Sequence, residues 1–351
     1  MDYSSQELSV LLKEEKQIST FKNTIFKYGI FMFIFGLARP AARGILSLID
    51  DTFLPSETAS LLINEFISVF FLYIIPLITA AILFKPHFYT RKNTKYPGSE
   101  YTKRKAITKF PSAFAIAIIV NIITTALVAL FIKEDQSISS IITEDKINYT
   151  WGYFIYSLIT VGIMPPIFEE IIFRGFALSV LRPYGDRFAI IFSSLFFGLI
   201  HANIYQFTYA SALGLFMGYI YIRTNSLITT MVYHAFVNCN SVILVFLYQR
   251  GALFIFDKIN GTASFGEGWF FVLMISAVFL IYGIILIGIL QFLKAVFKYI
   301  ISKIKKVHIS YLNNDYEGLS TAKKYLYLAI QPGMLFCAAV CIFYIIDNLL
   351  N

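Results

Sequence analysis

The sequence predicts an all-α fold, a polytopic transmembrane helical bundle with about eight or nine spans. Hydrophobic residues make up 58% of the 351 residues and charged residues 14%, whereas soluble domains average about 45–50% and about 25%. Long apolar windows also recur along most of the chain. A chain of this composition lacks the polar residues needed to cover a water-facing surface, so a soluble protein is excluded.

Nine windows approach the length of a membrane-spanning helix, which is about 20 mostly apolar residues. They are residues 24–47, 59–84, 112–132, 152–181, 188–203, 205–222, 226–248, 269–293 and 325–346. Arg39, Pro40 and Arg43 interrupt the first of them. We expect nine crossings, or eight if the first or the last window lies in the interface.

The connecting segments differ in charge, and this difference predicts the orientation. Residues 85–109 carry eight Lys and Arg against one acid, and residues 294–324 carry seven Lys against two acids. Residues 50–57 and 133–150 are acidic or nearly neutral. Because basic connectors stay in the cytoplasm, we expect a cytoplasmic N-terminus in an integral protein of a bacterial plasma membrane. The net charge of +8 then serves orientation and contact with anionic lipid, and nucleic acid is not an expected partner.

Polar side chains inside the apolar windows are the candidates for a functional site. Ionisable groups cost several kcal/mol within a bilayer, so they are rarely present without a function. Three windows contain such candidates, which are Glu169, Glu170, Arg174, His201, His234 and Asn238.

The candidates on the three windows are predicted to share one depth in the membrane. Glu169, His201 and His234 lie 13, 14 and 11 residues from basic residues at the cytoplasmic ends of their windows. At a helical rise of about 1.5 Å per residue these separations are about 20, 21 and 17 Å. Polar residues that serve only local packing would not need matching depths.

Local spacing separates the roles of the two adjacent glutamates. Glu170 and Arg174 are four residues apart, which suits an ion pair on one helix face. Glu169 then points about 100° away from that face, toward an expected cavity. Pro165 and Pro166, just upstream, remove backbone donors and are expected to kink or loosen the helix and admit water.

Two other spacings place residues on common faces. His234 and Asn238 are also four residues apart, so they can address the same small volume. Gly214 and Gly218 form a GxxxG pattern, which we interpret as close helix packing.

The residue types point to hydrolysis of a carbonyl compound, most simply a peptide bond. A Glu and a His beside water supply a general base and a partner that helps to activate the water. A second His with an Asn supplies donors for an oxyanion. The sequence contains no HExxH, GxSxG or GxGD motif, which argues against the usual helical zinc protease and the serine and aspartyl designs.

Three short motifs resemble those of the CPBP family of intramembrane proteases, which includes CAAX prenyl endopeptidases and the Abi or bacteriocin-immunity proteins. EEIIFR at 169–174 matches EExxxR, FGLIH at 197–201 matches FxxxH, and HAFVN at 234–238 matches HxxxN. The resemblance covers roughly residues 150–245. The flanking windows resemble the family only in being apolar.

The resemblance implies a role for each matched residue. The position of Glu169 would activate the attacking water, with the position of His201 assisting. His234 and Asn238 would hold the oxyanion of the tetrahedral intermediate.

Glu170 and Arg174 would have a supporting role. The family has been described both as metalloproteases and as glutamate-dependent proteases. Glu169, His201 and His234 could supply three ligands to a divalent metal such as Zn²⁺. Whether a metal is needed stays open at this stage.

The sequence also predicts how the chain is organised. Residues 1–150 would form N-terminal spans with a basic cytoplasmic loop, 151–248 the catalytic helical core, and 249–351 C-terminal spans. The expected partners are the lipid bilayer and a peptide or membrane-protein substrate. Two alternatives stay open, a non-catalytic immunity or binding protein that uses the polar cluster for recognition, and a transporter, which the absence of an internal repeat disfavours.

Overall fold

The computed structural model describes residues 5–49, 57–88, 108–130, 150–259, 268–304 and 319–350. Helices account for nearly all of these residues, and the described part of the chain contains no strand. The predicted all-α fold is therefore confirmed. Most of the charged connectors that predict the orientation lie outside the described residues, and the orientation stays a prediction.

Thirteen α-helices follow one another in the described residues. They are α1 (Ser5–Leu46), α2 (Glu57–Val69), α3 (Ile75–Phe88), α4 (Phe110–Ala129), α5 (Trp151–Ser157), α6 (Met164–Glu170), α7 (Ser179–Leu181), α8 (Asp186–Leu199), α9 (Ile204–Thr224), α10 (Leu227–Ile259), α11 (Gly268–Ile304), α12 (Thr321–Ala329) and α13 (Pro332–Leu350). Several are joined end to end by π-helical turns. Such turns occur at Phe70–Ile74, Leu158–Ile163 and Ile171–Leu178.

Six of the described helical segments are long and apolar enough to cross a membrane. They are Leu11–Leu46, Ala59–Phe84, Phe110–Ala129, Trp151–Tyr184, Leu227–Gly251 and Phe271–Lys298. A seventh span results if α12 and α13, which are bent by 69° at their junction, are counted together. These segments support a polytopic integral membrane protein.

The span count in the described residues is lower than the eight or nine expected from the sequence. Windows 188–203 and 205–222 form α8 and α9, and neither qualifies as a spanning helix. Helix α8 has 14 residues, which is about 21 Å and shorter than a hydrocarbon core of about 30 Å. Helix α9 is long enough with 21 residues, but its tyrosines and Gln206 reduce its hydropathy.

The described residues fall into two compact units. The first combines the described parts of 1–99, 168–222 and 310–351, and the second those of 100–167 and 223–309. The division of the chain into residues 1–150, 151–248 and 249–351 rests on sequence patterns and stays a prediction.

Small residues let helices approach closely in the first unit, as expected for helices that pack in lipid. A Cβ atom added at Gly214 would lie 3.0 Å from the Ser194 Cβ, and one added at Gly218 would lie 3.2 Å from the Leu178 Cδ1. The interpretation of the GxxxG pattern as close packing is confirmed. Gly198 is tighter still, because an added Cβ would overlap the Phe207 carbonyl oxygen.

The second unit is built around α4, α10 and α11. Gly288 of α11 packs so closely on α4 that an added Cβ would overlap the Pro111 carbonyl oxygen. The Phe110 ring stacks on Tyr233 with centroids 5.1 Å apart and meets Phe236 edge-on at 4.7 Å. These contacts hold α10 against α4.

Replacing Gly198 with Ala should destabilise the first unit. The added methyl would collide with backbone at Phe207, which cannot rotate away as a side chain could. Overpacking of this kind costs about 1–3 kcal/mol, so the thermal unfolding temperature in detergent should fall. Gly283→Ala is the matched control, since Gly283 has no neighbouring atom within 4 Å of an added Cβ. Equal unfolding temperatures for the Gly198 variant and the wild type would contradict the close approach of α8 and α9.

Candidate active site

The two adjacent glutamates end helix α6 and lie between π-helical turns. Leu158–Ile163 precedes α6 and Ile171–Leu178 follows it. Pro165 and Pro166 lie inside α6 and cannot donate backbone hydrogen bonds. The helix is therefore loosened beside the glutamates, as the sequence predicts, and π-helical turns are frequent at functional sites.

Glu170 forms the ion pair that the sequence predicts. The Arg174 Nη1 donates to the Glu170 Oε1 at 2.9 Å, and the two side chains are 1% and 0% exposed. The Arg174 Nη2 also donates to the Gly214 carbonyl at 3.4 Å. A buried pair of this kind holds a helix in place only while both charges are present.

Glu169 points to a different partner. Its side chain is 7% exposed, and its Oε1 accepts a hydrogen bond from the Tyr73 hydroxyl at 3.1 Å. The Tyr73 ring stacks on Phe168 with centroids 5.3 Å apart, which fixes the hydroxyl in place. The sequence does not predict a role for Tyr73, because it is one of 23 tyrosines and nothing in its apolar window distinguishes it.

His201 lies in the turn that follows α8. Its Nδ1 is 2.8 Å from the Phe197 carbonyl oxygen. A carbonyl can only accept a hydrogen bond, so Nδ1 carries the proton in this contact. In a neutral ring with this tautomer, Nε2 carries the lone pair.

The Phe197 ring connects the first two motifs within the first unit. The Arg174 guanidinium lies over this ring at 4.5 Å from its centroid. The His201 ring meets the same Phe197 ring edge-on, with centroids 5.1 Å apart. The ion pair of the first motif and the imidazole of the second thus contact a common aromatic side chain.

The third motif lies in the second unit, on α10. His234 is buried with 3% exposure. The Asn238 Nδ2 donates to the Val161 carbonyl at 3.0 Å. That carbonyl has no backbone partner in an α-helix or a π-helix, because residues 165 and 166 are both proline. Asn238 supplies the missing donor. This hydrogen bond fixes the Asn238 side chain against the π-helical turn at Leu158–Ile163, which precedes α6.

Each unit therefore contains part of the predicted set. Glu169, Glu170, Arg174 and His201 lie in the first unit, and His234 and Asn238 lie in the second. Their convergence on one cavity stays a prediction.

The described residues contain no group of three or more His, Cys, Asp or Glu side chains that could hold a metal ion. The three ligands considered from the sequence, Glu169, His201 and His234, come from both units, and a metal site formed by them stays a prediction.

The buried ion pair should stabilise the fold only as a pair. Arg174→Met leaves the Glu170 carboxylate buried without its cation, which should cost about 3–5 kcal/mol. Combining Arg174→Met with Glu170→Gln removes both charges, so thermal unfolding in detergent should show a clear recovery. The contacts of Arg174 with Phe197 and Gly214 are lost in both variants, so the difference reports the unpaired charge.

A second buried ion pair provides a parallel test of the same effect. The Arg182 Nε donates to the Asp186 Oδ1 at 3.0 Å, with the same four-residue spacing. Arg182→Met with and without Asp186→Asn should repeat the pattern in stability. A double variant no more stable than Arg174→Met alone would contradict the role assigned to the first pair.

Comparison with known families agrees with the motifs. Residues 151–240 match the family model described as Type II CAAX prenyl endopeptidase Rce1-like. No curated protein and no solved structure shows significant similarity to the chain. The matched family is one of proteases, so the family assignment supports a CAAX-protease-like intramembrane endopeptidase. Residues 151–240, which carry all three motifs, are therefore similar to the Rce1-like endopeptidases, and this match supports the resemblance to the CPBP family.

Proposed function

We propose that the chain is an intramembrane endopeptidase in which Glu169 and His201 activate a water molecule and His234 and Asn238 stabilise the oxyanion. The observation that carries this proposal is the different bonding of the two adjacent buried glutamates. Glu170 pairs with the Arg174 cation, whereas Glu169 accepts a bond from the neutral Tyr73 hydroxyl.

This difference favours Glu169 as the base. A carboxylate beside a guanidinium is held in its charged form, and taking up a proton would break a buried ion pair. A proton taken up by Glu169 would leave the hydrogen-bonded ion pair of Glu170 with Arg174 in place. Glu169 is therefore suited to receive a proton from water, and Glu170 to hold the helix.

His201 is oriented for an assisting role. Its Nδ1–H is engaged by the Phe197 carbonyl, so Nε2 can accept a hydrogen bond from the same water. A fixed tautomer also removes the energetic cost of choosing one during the reaction.

The proposed reaction is the addition of water to a peptide bond, followed by cleavage of that bond. Glu169 takes one proton from water while the water oxygen bonds to the carbonyl carbon of the peptide, and the π electrons move to the carbonyl oxygen. His234 and the second N–H of the Asn238 amide donate to this oxyanion. When the carbon–nitrogen bond breaks, Glu169 returns its proton to the leaving amine. The products are a carboxylic acid and an amine.

The family description supplies the first substrate to test, a prenylated protein with a CAAX C-terminus. We propose that a peptide or membrane-protein substrate reaches the site from the cytoplasmic side of a bacterial plasma membrane. A suitable assay uses two quenched fluorescent CAAX peptides of one sequence, one farnesylated and one unmodified, with the purified full chain in liposomes.

Removing the base or its partner should abolish cleavage. General acid–base groups contribute about 10²–10⁴-fold to rate, so we expect Glu169→Gln and His201→Ala to lower kcat by at least about 100-fold. Product release is measured by mass spectrometry, and unfolding temperatures confirm that the variants fold. Glu14→Gln is the matched control, because Glu14 is an exposed residue of α1. A folded Glu169→Gln protein with wild-type kcat would refute the proposal, as would a folded wild type that cleaves neither peptide.

Tyr73→Phe should have an intermediate effect. The substitution removes only the hydroxyl that donates to Glu169 and keeps the ring on Phe168. A hydrogen bond to a charged group contributes about 1.5–3 kcal/mol, so we expect kcat to fall by about 10-fold or more with little change in KM. Tyr282→Phe, at an exposed tyrosine of α11, is the control. An unchanged kcat in Tyr73→Phe would show that the contact does not serve the reaction.

A further inference from the structure

The turn that carries His201 depends on side chains from distant helices. Its backbone leaves the helical path after Leu199, and Ala202 has a φ of 52°, in the left-handed region that disfavours a residue with a Cβ. The carbonyls of residues 196–199 accept bonds from within the turn, including the bond from the His201 ring. Asn203 caps the next helix, since its Oδ1 accepts a bond from the Tyr205 N–H at 2.9 Å.

The two carbonyls that flank His201 take their partners from outside the turn. The Ile200 carbonyl accepts a hydrogen bond from the Arg39 Nη2 at 2.9 Å. The Ala202 carbonyl accepts one from the Asn348 Nδ2, also at 2.9 Å. One donor lies on α1 and the other on α13, near opposite ends of the chain.

The position of Arg39 inside an apolar span explains its hydrogen bond to the Ile200 carbonyl. Arg39 lies inside the candidate span Leu11–Leu46, where an arginine costs several kcal/mol unless it is satisfied within the protein. A backbone carbonyl within a membrane is also costly without a donor. The bond between Arg39 and Ile200 satisfies both groups at once.

The two donors are held by a close helix contact. A Cβ added at Gly36 of α1 would lie 2.9 Å from the Cys337 Cα of α13. A Cβ added at Gly333 of α13 would overlap the Gly29 carbonyl oxygen of α1. Helices α1 and α13 therefore form a fixed pair, and the backbone on either side of His201 is bonded to it.

We propose that Arg39 and Asn348 are positioning residues for His201. By bonding the carbonyls before and after it, they fix the turn so that the Nε2 of His201 keeps the direction needed to assist water attack. This inference rests on the proposed function. It also assigns a role in the reaction to helices outside the matched residues 151–240, whose motifs contain neither residue.

The test measures kcat and KM separately for the full chain in liposomes, with whichever of the two CAAX peptides the wild type cleaves. Arg39→Met and Asn348→Leu each remove a donor while keeping similar volume, and Arg39→Lys keeps a donor. Arg43→Met is the matched control, since it makes the same change one turn away on the same helix.

We expect Arg39→Met and Asn348→Leu each to lower kcat by about 10–100-fold, because a misplacement of about 1 Å in the reacting geometry can cost about 100-fold. KM should stay within about twofold, because substrate binding does not involve the turn. Arg39→Lys should recover most of the lost kcat, and Arg43→Met should keep wild-type kcat. A purely structural role would instead lower the amount of folded protein without changing kcat per folded molecule.

Wild-type kcat in folded Arg39→Met and Asn348→Leu would overturn the inference. So would an equal loss of kcat in Arg39→Met and Arg43→Met, because the effect would then not depend on the bond to Ile200. If Arg39→Met fails to fold, Asn348→Leu and Arg39→Lys decide the question.

The outcome is distinguishable from a failure of the proposed function. If the wild type cleaves and Glu169→Gln does not, but both donor variants cleave normally, only the positioning role is wrong. If the folded wild type cleaves neither peptide, the proposed function fails and the positioning role fails with it.

Discussion

Every polar group inside a membrane needs a partner within the protein. This requirement governs the structure around the three motifs at residues 169–174, 197–201 and 234–238. Two successive prolines deprive the Val161 carbonyl of a helical donor, and Asn238 provides one. The turn at His201 interrupts a helix, and Arg39 bonds the Ile200 carbonyl. In each case a carbonyl that lacks a helical donor accepts a hydrogen bond from a side chain of another helix.

The same requirement separates the two glutamates. A buried carboxylate is tolerated when a cation compensates it, as Arg174 does for Glu170. Glu169 accepts a hydrogen bond from the Tyr73 hydroxyl, and it is the residue that we propose to exchange a proton with water. The Phe197 ring, in contact with both the Arg174 guanidinium and the His201 imidazole, ties the structural pair to the residue proposed to assist the base. We therefore assign the stabilising ion pair to Glu170 and the proposed chemistry to its neighbour Glu169.

Sequence alone was sufficient where contacts are local. The helical class follows from composition, and the pairing of Glu170 with Arg174 follows from a four-residue spacing. The contacts of Glu169 with Tyr73, of Ile200 with Arg39 and of Ala202 with Asn348 join residues 96, 161 and 146 positions apart, and no periodicity encodes such distances. The described residues contain fewer spanning helices than the sequence predicts for a related reason. Apolar character alone does not show that α8, with 14 residues, ends too early to cross the membrane.

The central proposal is that the Glu169 carboxylate, rather than a bound metal ion, activates the water. The most direct measurement is the cleavage rate of the purified full chain after treatment with a strong chelator, with residual metal quantified by mass spectrometry. We expect metal-free protein to retain the cleavage rate of untreated protein. Loss of activity on chelation, restored by one equivalent of Zn²⁺ or another divalent ion, would contradict it.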